Sequence, residues 1–255
     1  MRRAGRVNQN AIIYGFEKAV PGATLLEVDQ AVEWYIRAMK CKPAFKNYQP
    51  GFAMSPFPGT ACLSVNDVAV HGIPNSYVLK PGDILTIDVG TEYKEWFVDA
   101  ARTRIIPGIE PSKTLVNLME GTEAIMAAEL EVVRDSCTFF ELIQAAEKVA
   151  QAYNIIILPQ YGGHQIGNAV HLPPFIPNAI NRAQSKIKQW ADEVQYKEQK
   201  LSTGDTICLE PVVSLGSIET TIDADGWSVR KKDNNPVAHE ERCILVKKEG
   251  FELLS

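Results

Sequence analysis

The sequence predicts an α+β domain with mostly antiparallel pairing, on three observations. Segments with helical spacing and segments rich in β-branched residues come in blocks, in the order helices, strands, helices, strands. No Pro/Gly/Ser-rich linker divides the 255 residues, which suffice for one domain with a sizeable buried core. Finally, TLLEVDQAVE at 24–33 is echoed by TFFELIQAAE at 138–147, with Thr, Glu, Gln, Ala and Glu matched and apolar residues between. Two capped amphipathic helices alike by chance would produce that echo. So would an internal duplication in which each half lays helices on one side of a sheet.

Taken in order, residues 7–19 and 24–39 read as helices. The second opens after PGAT with Thr24 as N-cap and Glu27 three residues on, a capping-box pattern. Strands are expected at CLSVNDVAV (62–70), ILTIDVGTEY (84–93), WFVDAARTRII (96–106), TICLEPVVS (206–214) and RCILVKK (242–248), from alternation and β-branched content. The most polar stretch, from Ala179 to Asp205, mixes both signs of charge and reads as a solvated surface excursion rather than a binding patch.

Composition narrows the class. With 45% apolar and 22% charged residues the chain reads as a soluble globular protein. No apolar run approaches the roughly 18 residues of a membrane helix. The start MRRAGRVNQNAIIYGF has no long apolar region before a small-residue cleavage site, so a cytoplasmic protein without a membrane partner is expected. Five widely spaced cysteines without a C-x-x-C pair suggest reduced thiols, neither a disulfide framework nor a cysteine zinc site. A net charge of −5 argues against an extended nucleic-acid footprint, although MRRAGR could form a small basic patch.

The chemistry-bearing residues are carboxylates set in apolar strands. Asp88 and Asp99 lie in neighbouring strands, and a hairpin turn centred between Tyr93 and Lys94 would set them directly opposite each other. Opposed side chains lie about 4.5 to 5.5 Å apart at Cβ and like charges there destabilise, so a shared proton or a cation should compensate. An asymmetric turn is the other reading, because Tyr-Lys lacks the Asn-Gly signature of a tight hairpin. Glu210 in TICLEPVV and Glu241 in HEERCILV pose the same puzzle. Each alone is more often a surface residue or half of a salt bridge. Together with a histidine from YGGHQIGNAVHLPPF, which holds His164 and His171, the carboxylates form a hard, oxygen-rich set suited to two bridged divalent ions. Iron(II), manganese or cobalt fits it better than a thiolate-loving metal.

From about Asn47 onward these residues resemble the methionine aminopeptidases of the pita-bread fold. VNDVAVHGIP followed by LKPGDILTIDVG is similar to the family's first histidine and aspartate block, which implies His71 in the active site and Asp88 as a metal ligand. By the same resemblance Asp99 is the second aspartate, His164 the ligand histidine, His171 the second active-site histidine, and Glu210 and Glu241 the ligand glutamates. Phe57, Cys62, Val170 and Trp227, with His71 and His171, would form the substrate pocket. The spacing from Glu210 to Glu241 lacks the long insertion of the type II branch, so the chain resembles type I. The usual GHGIG is here GHQIG, the aromatic before the second histidine is Val170, the usual HExP is HLPP with Leu172, and AHE precedes the last glutamate's position where a glutamine-containing run is usual. None of these departures touches a metal ligand; they bear on specificity and rate.

The resemblance implies a curved antiparallel sheet flanked by helices with pseudo-twofold symmetry, as one catalytic domain with halves of about 1–110 and 111–255. It implies two divalent ions (iron, manganese or cobalt, with zinc admissible), bridged by Asp99 and Glu241. The activity implied is removal of the N-terminal methionine from nascent chains or peptides with a small second residue. Glu210 would move the proton, His171 would stabilise the oxyanion and His71 would bond the scissile amide. A monomer is implied, with transient ribosome association allowed. Two other readings stay open at this point: an X-Pro aminopeptidase or prolidase, because the ligand set is shared, and a pita-bread protein that has lost catalysis and only binds.

Overall fold

The computed structural model describes residues 1–51 and 53–255. Among the described residues five helices, α1 (Arg2–Lys18), α2 (Leu25–Ala38), α3 (Lys113–Val132), α4 (Phe139–Tyr153) and α5 (Lys186–Glu198), accompany antiparallel strands, giving the α+β architecture expected. α1 starts at Arg2 rather than near residue 7, because Ala4 and Val7 continue the buried stripe of Ala11, Ile12 and Gly15 back into the first turn. Both capping boxes form: Thr24 with Glu27 opens α2, and Thr138 with Glu141 opens α4. Each such cap contributes about 0.5–2 kcal/mol.

α1 and α2 bury their apolar faces against the hairpin of Ile84–Tyr93 and Trp96–Ile105, around Ile12, Val28, Val32 and Ile87. α3 and α4 cover the later strands in the same way, around Met126, Phe139, Leu142, Leu209 and Ile244. The strand Ile84–Tyr93 is also bonded to Ala61–Val65. A second sheet runs in the order Phe251–Leu253, Arg242–Val246, Thr206–Leu209, Gly162–Gln165, Leu172–Pro177. The faces turned away from the helices converge on the site.

Several expected strands are broken, each for a local reason. CLSVNDVAV forms Ala61–Val65 and Val68–Val70, separated by a turn in which Asn66 takes the left-handed conformation at φ 56°. TICLEPVVS forms Thr206–Leu209 and Val212–Ser214, because Pro211 has no N–H to continue the ladder. The hairpin register also differs from the expected one. Its turn is Lys94-Glu95, both at positive φ (52° and 63°) as a two-residue type I′ loop requires, so Tyr93 pairs with Trp96 and Asp88 faces Ala101 while Asp99 faces Gly90. Asp88 and Asp99 are therefore diagonal neighbours, not direct partners. A slip of two residues preserves the face, so both still point the same way. The polar excursion contains α5, which leaves Ile187 and Trp190 exposed.

Candidate metal and substrate site

Each donor is aimed by its strand. Asp88 and Asp99 project from the central hairpin and both are buried. Glu241 sits just before Arg242–Val246 and is tied to that hairpin by its own N–H, which donates to Ala101 O at 2.9 Å. Its neighbour Glu240 turns to the opposite side, where Arg242 reaches it at 2.7 Å and Arg102 at 3.8 Å. Strand alternation thus neutralises one glutamate with arginines and sends the other into the site. His164 lies on Gly162–Gln165, where Gly163 lets the strand approach Thr206–Leu209: a Cβ there would stand 2.0 Å from Cys208 O. His164 Nδ1 bonds Gln165 O at 2.9 Å, which as a donor leaves the Nε2 lone pair facing Glu210 Oε1, 3.6 Å away.

Ligand atoms of Asp88, Asp99 and Glu241 lie within 4.8 Å of one another, as do those of His164, Cys208 and Glu241, and of Asp99, His164 and His171. Asp88 Oδ1, Asp99 Oδ1 and Glu241 Oε1 are buried without a hydrogen-bond partner among the described residues. Burial first, then the charge of Asp99, holds the carboxyls of Asp88, Glu210 and Glu241 well above the usual carboxylate range, and burial moves Asp99 up to about 7. Such crowded acids call for a cation, and the donor set of carboxylates plus one imidazole suits hard or borderline divalent ions. Cys208 sits beside them, but burial pushes its thiol well up and keeps it a poor ligand. All five cysteines are free, and all are buried.

The donors floor a cavity of about 520 Å³, an ordinary size for a small-ligand site. Its apolar wall is Phe45, Phe57, Cys62 and Trp227, with the Phe57 and Trp227 rings edge to face at 5.2 Å. Val170, expected in the substrate pocket, is buried in the same apolar cluster but does not line the cavity. His71 enters from a left-handed backbone (φ 58°), a strain that suits a functional position, and Gly72 makes it possible by packing where a Cβ would meet Leu63 O at 2.4 Å. Burial lowers the His71 pKa to about 4. His171 faces the mouth, 4.5 Å from the His164 ring, and desolvation with the neighbouring imidazoles pushes its pKa down.

Sequence reasoning missed Phe45, Tyr48 and His239, all of which line the cavity. Tyr48 bonds His171 Nδ1 at 2.9 Å across 123 residues of chain, and nothing in the sequence signals that contact. His239 did leave a signal, as the one histidine without a family position, two residues ahead of Glu241.

The profile of metallopeptidase family M24 matches residues 1–248. A methionine aminopeptidase of Mycoplasma capricolum is 31% identical over all of this chain and 94% of its own. The methionine aminopeptidase structure from Thermotoga maritima superposes with a TM-score of 0.87 at 27% identity, covering all of this chain and 94% of that one. A prolidase from Pyrococcus furiosus, at TM-score 0.70 and 19% identity over 99% of this chain and 61% of that one, shares the fold alone. With profile, full-length identity and superposition in agreement, the chain belongs to metallopeptidase family M24, among its methionine aminopeptidases.

Proposed function

We propose that the chain removes the N-terminal methionine from peptides and nascent chains with a small second residue, using two divalent ions held by Asp88, Asp99, His164, Glu210 and Glu241. The observation that carries this reading is the convergence of Asp88, Asp99 and Glu241, partly without hydrogen-bond partners, on the floor of an apolar cavity. The ions supply Lewis-acid polarisation and an activated nucleophile at neutral pH. Iron(II), manganese or cobalt fits the donors, with zinc admissible.

Phe57, Cys62 and Trp227, with Phe45, receive the methionine side chain. The buried carboxylates meet the free α-amine, which confines cleavage to the first residue. Tyr48 donates its hydroxyl proton to His171 Nδ1, leaving the ring proton on Nε2, where it can stabilise the tetrahedral oxyanion. His71 bonds the scissile amide, and Glu210 takes and returns the proton. We read residues 1–255 as one catalytic domain of two halves, about 1–110 and 111–255, acting as a monomer in the cytoplasm on chains leaving the ribosome.

Hydrolysis of Met-Ala-Ser beside Gly-Pro-Ser, with protein stripped of metal and then given iron(II), manganese or cobalt, tests the reading. Metal-restored cleavage of the first alone is expected; cleavage of the second would make it an X-Pro peptidase, and cleavage of neither with metal bound would make it a binding protein.

A further inference from the structure

Three of the four histidines have roles in the mechanism above, and the fourth is the most deeply buried of them. His239 is 2% exposed, lines the cavity, and its Nε2 has no hydrogen-bond partner among the described residues. That nitrogen stands 3.8 Å from Glu210 Oε2, while the other oxygen of the same carboxylate, Oε1, stands 3.6 Å from His164 Nε2. Glu210 is thus framed by two imidazoles, one on each oxygen.

The His239 backbone is held at both polar groups by one hydroxyl. Its N–H donates to Thr103 Oγ1 at 2.8 Å, and Thr103 Oγ1 donates to its carbonyl at 2.7 Å. With its single proton used there, Thr103 must accept from Thr86 Oγ1, 2.8 Å away. This chain of buried bonds references the His239 backbone to the hairpin that carries Asp88 and Asp99. Such a clamp on a residue whose ring nitrogen is left unpaired signals a ring held for something beyond packing.

We propose that His239 is a positioning residue whose Nε2–H holds the outer oxygen of Glu210, so that the inner oxygen is presented beside His164. This rests on the reading of Glu210 as a metal ligand. At 3.8 Å the pair is too long for a hydrogen bond, and a carboxylate shift of about 0.8 Å brings it to normal N–H···O length. Ligating carboxylates are commonly bonded in this way from outside, and losing the outer partner costs about 10–100-fold in metal affinity.

Manganese binding to metal-free protein, measured by titration calorimetry on wild type, His239→Ala and His239→Gln, tests the role. His239→Ala should bind about 10–100-fold more weakly, and His239→Gln, which keeps an N–H donor, should recover most of that loss. The metal-free unfolding midpoints should not track these affinities. Unchanged affinity in His239→Ala, or a His239→Gln variant as weak as the alanine one, overturns the proposal. Should the alanine variant not fold, the ¹⁵N spectrum of zinc-loaded wild type decides: a protonated Nε2 on His239 supports the role and a bare Nε2 overturns it. Wild type that takes up no manganese overturns the metal reading itself, and this role with it.

Discussion

Replacing Tyr48 by phenylalanine deletes one hydroxyl and keeps the ring that stacks on His171 at 5.4 Å between centroids. What is lost is the 2.9 Å bond to His171 Nδ1, and with it the preference for the tautomer that carries its proton on the nitrogen facing the substrate. Burial raises the Tyr48 pKa, so the hydroxyl keeps the proton it donates across the neutral range. A net hydrogen bond of this kind contributes about 0.5–1.5 kcal/mol, which at about 1.4 kcal/mol per tenfold is a 2- to 12-fold loss. The loss should fall on kcat and kcat/KM equally, because the oxyanion exists only in the transition state. Steady-state hydrolysis of Met-Ala-Ser by metal-loaded wild type and Tyr48→Phe measures it. A variant with unchanged kcat, or one that loses only in KM, would refute the assignment of His171 as a donor oriented by Tyr48.

Asp99→Asn should abolish metal-dependent turnover while the circular dichroism spectrum stays native; full activity in it would sink the ligand assignment. Gly163→Ala drives a Cβ to 2.0 Å from a backbone oxygen, so the strand carrying His164 must shift, at a cost of about 1–3 kcal/mol in chemical unfolding and a weaker metal titration. Glu129 is fully buried in α3 with both oxygens lacking a hydrogen-bond partner among the described residues, and burial raises its pKa well above the ordinary 4.5. A raised folded-state pKa means the folded chain holds a proton the unfolded chain releases, so this group's contribution is present below pH 4.5 and is lost as pH rises toward its folded value. Glu129→Met should therefore be stabilised by about 1–3 kcal/mol at neutral pH and gain less in acid; equal gains at both pH values would count against the buried carboxyl.

The parts of the molecule legible beforehand were those written in local chemistry. Thr24 with Glu27 and Thr138 with Glu141 announce their helices because a capping box needs only four residues. Asp88 and Asp99 stand out because carboxylates inside apolar strands need a reason. Their exact pairing did not, because Lys94-Glu95 adopts a type I′ turn without the glycine or asparagine that usually marks one. Tyr48 and Phe45 were invisible for a different reason: their partners are brought in by tertiary packing, which leaves no periodicity in the chain. His239 lay between these cases, conspicuous by being left over yet without a role until its ring was seen facing Glu210.

The strand Trp96–Ile105 is a seam. Through Ala101 O and Thr103 Oγ1 it receives the 239–241 run from the far end of the chain, and Val229–Lys231 likewise pairs with Val68–Val70. Residues before 110 bring two aspartates to the cavity floor and residues after 111 bring the histidine and the glutamates. On the two-halves reading proposed above, the molecule would behave as a complementation pair joined by a tether. Cutting the tether between Ile106 and Lys113 would yield two fragments that are silent apart and active only when reassociated, and a small molecule that wedged open this seam would inhibit without competing with substrate.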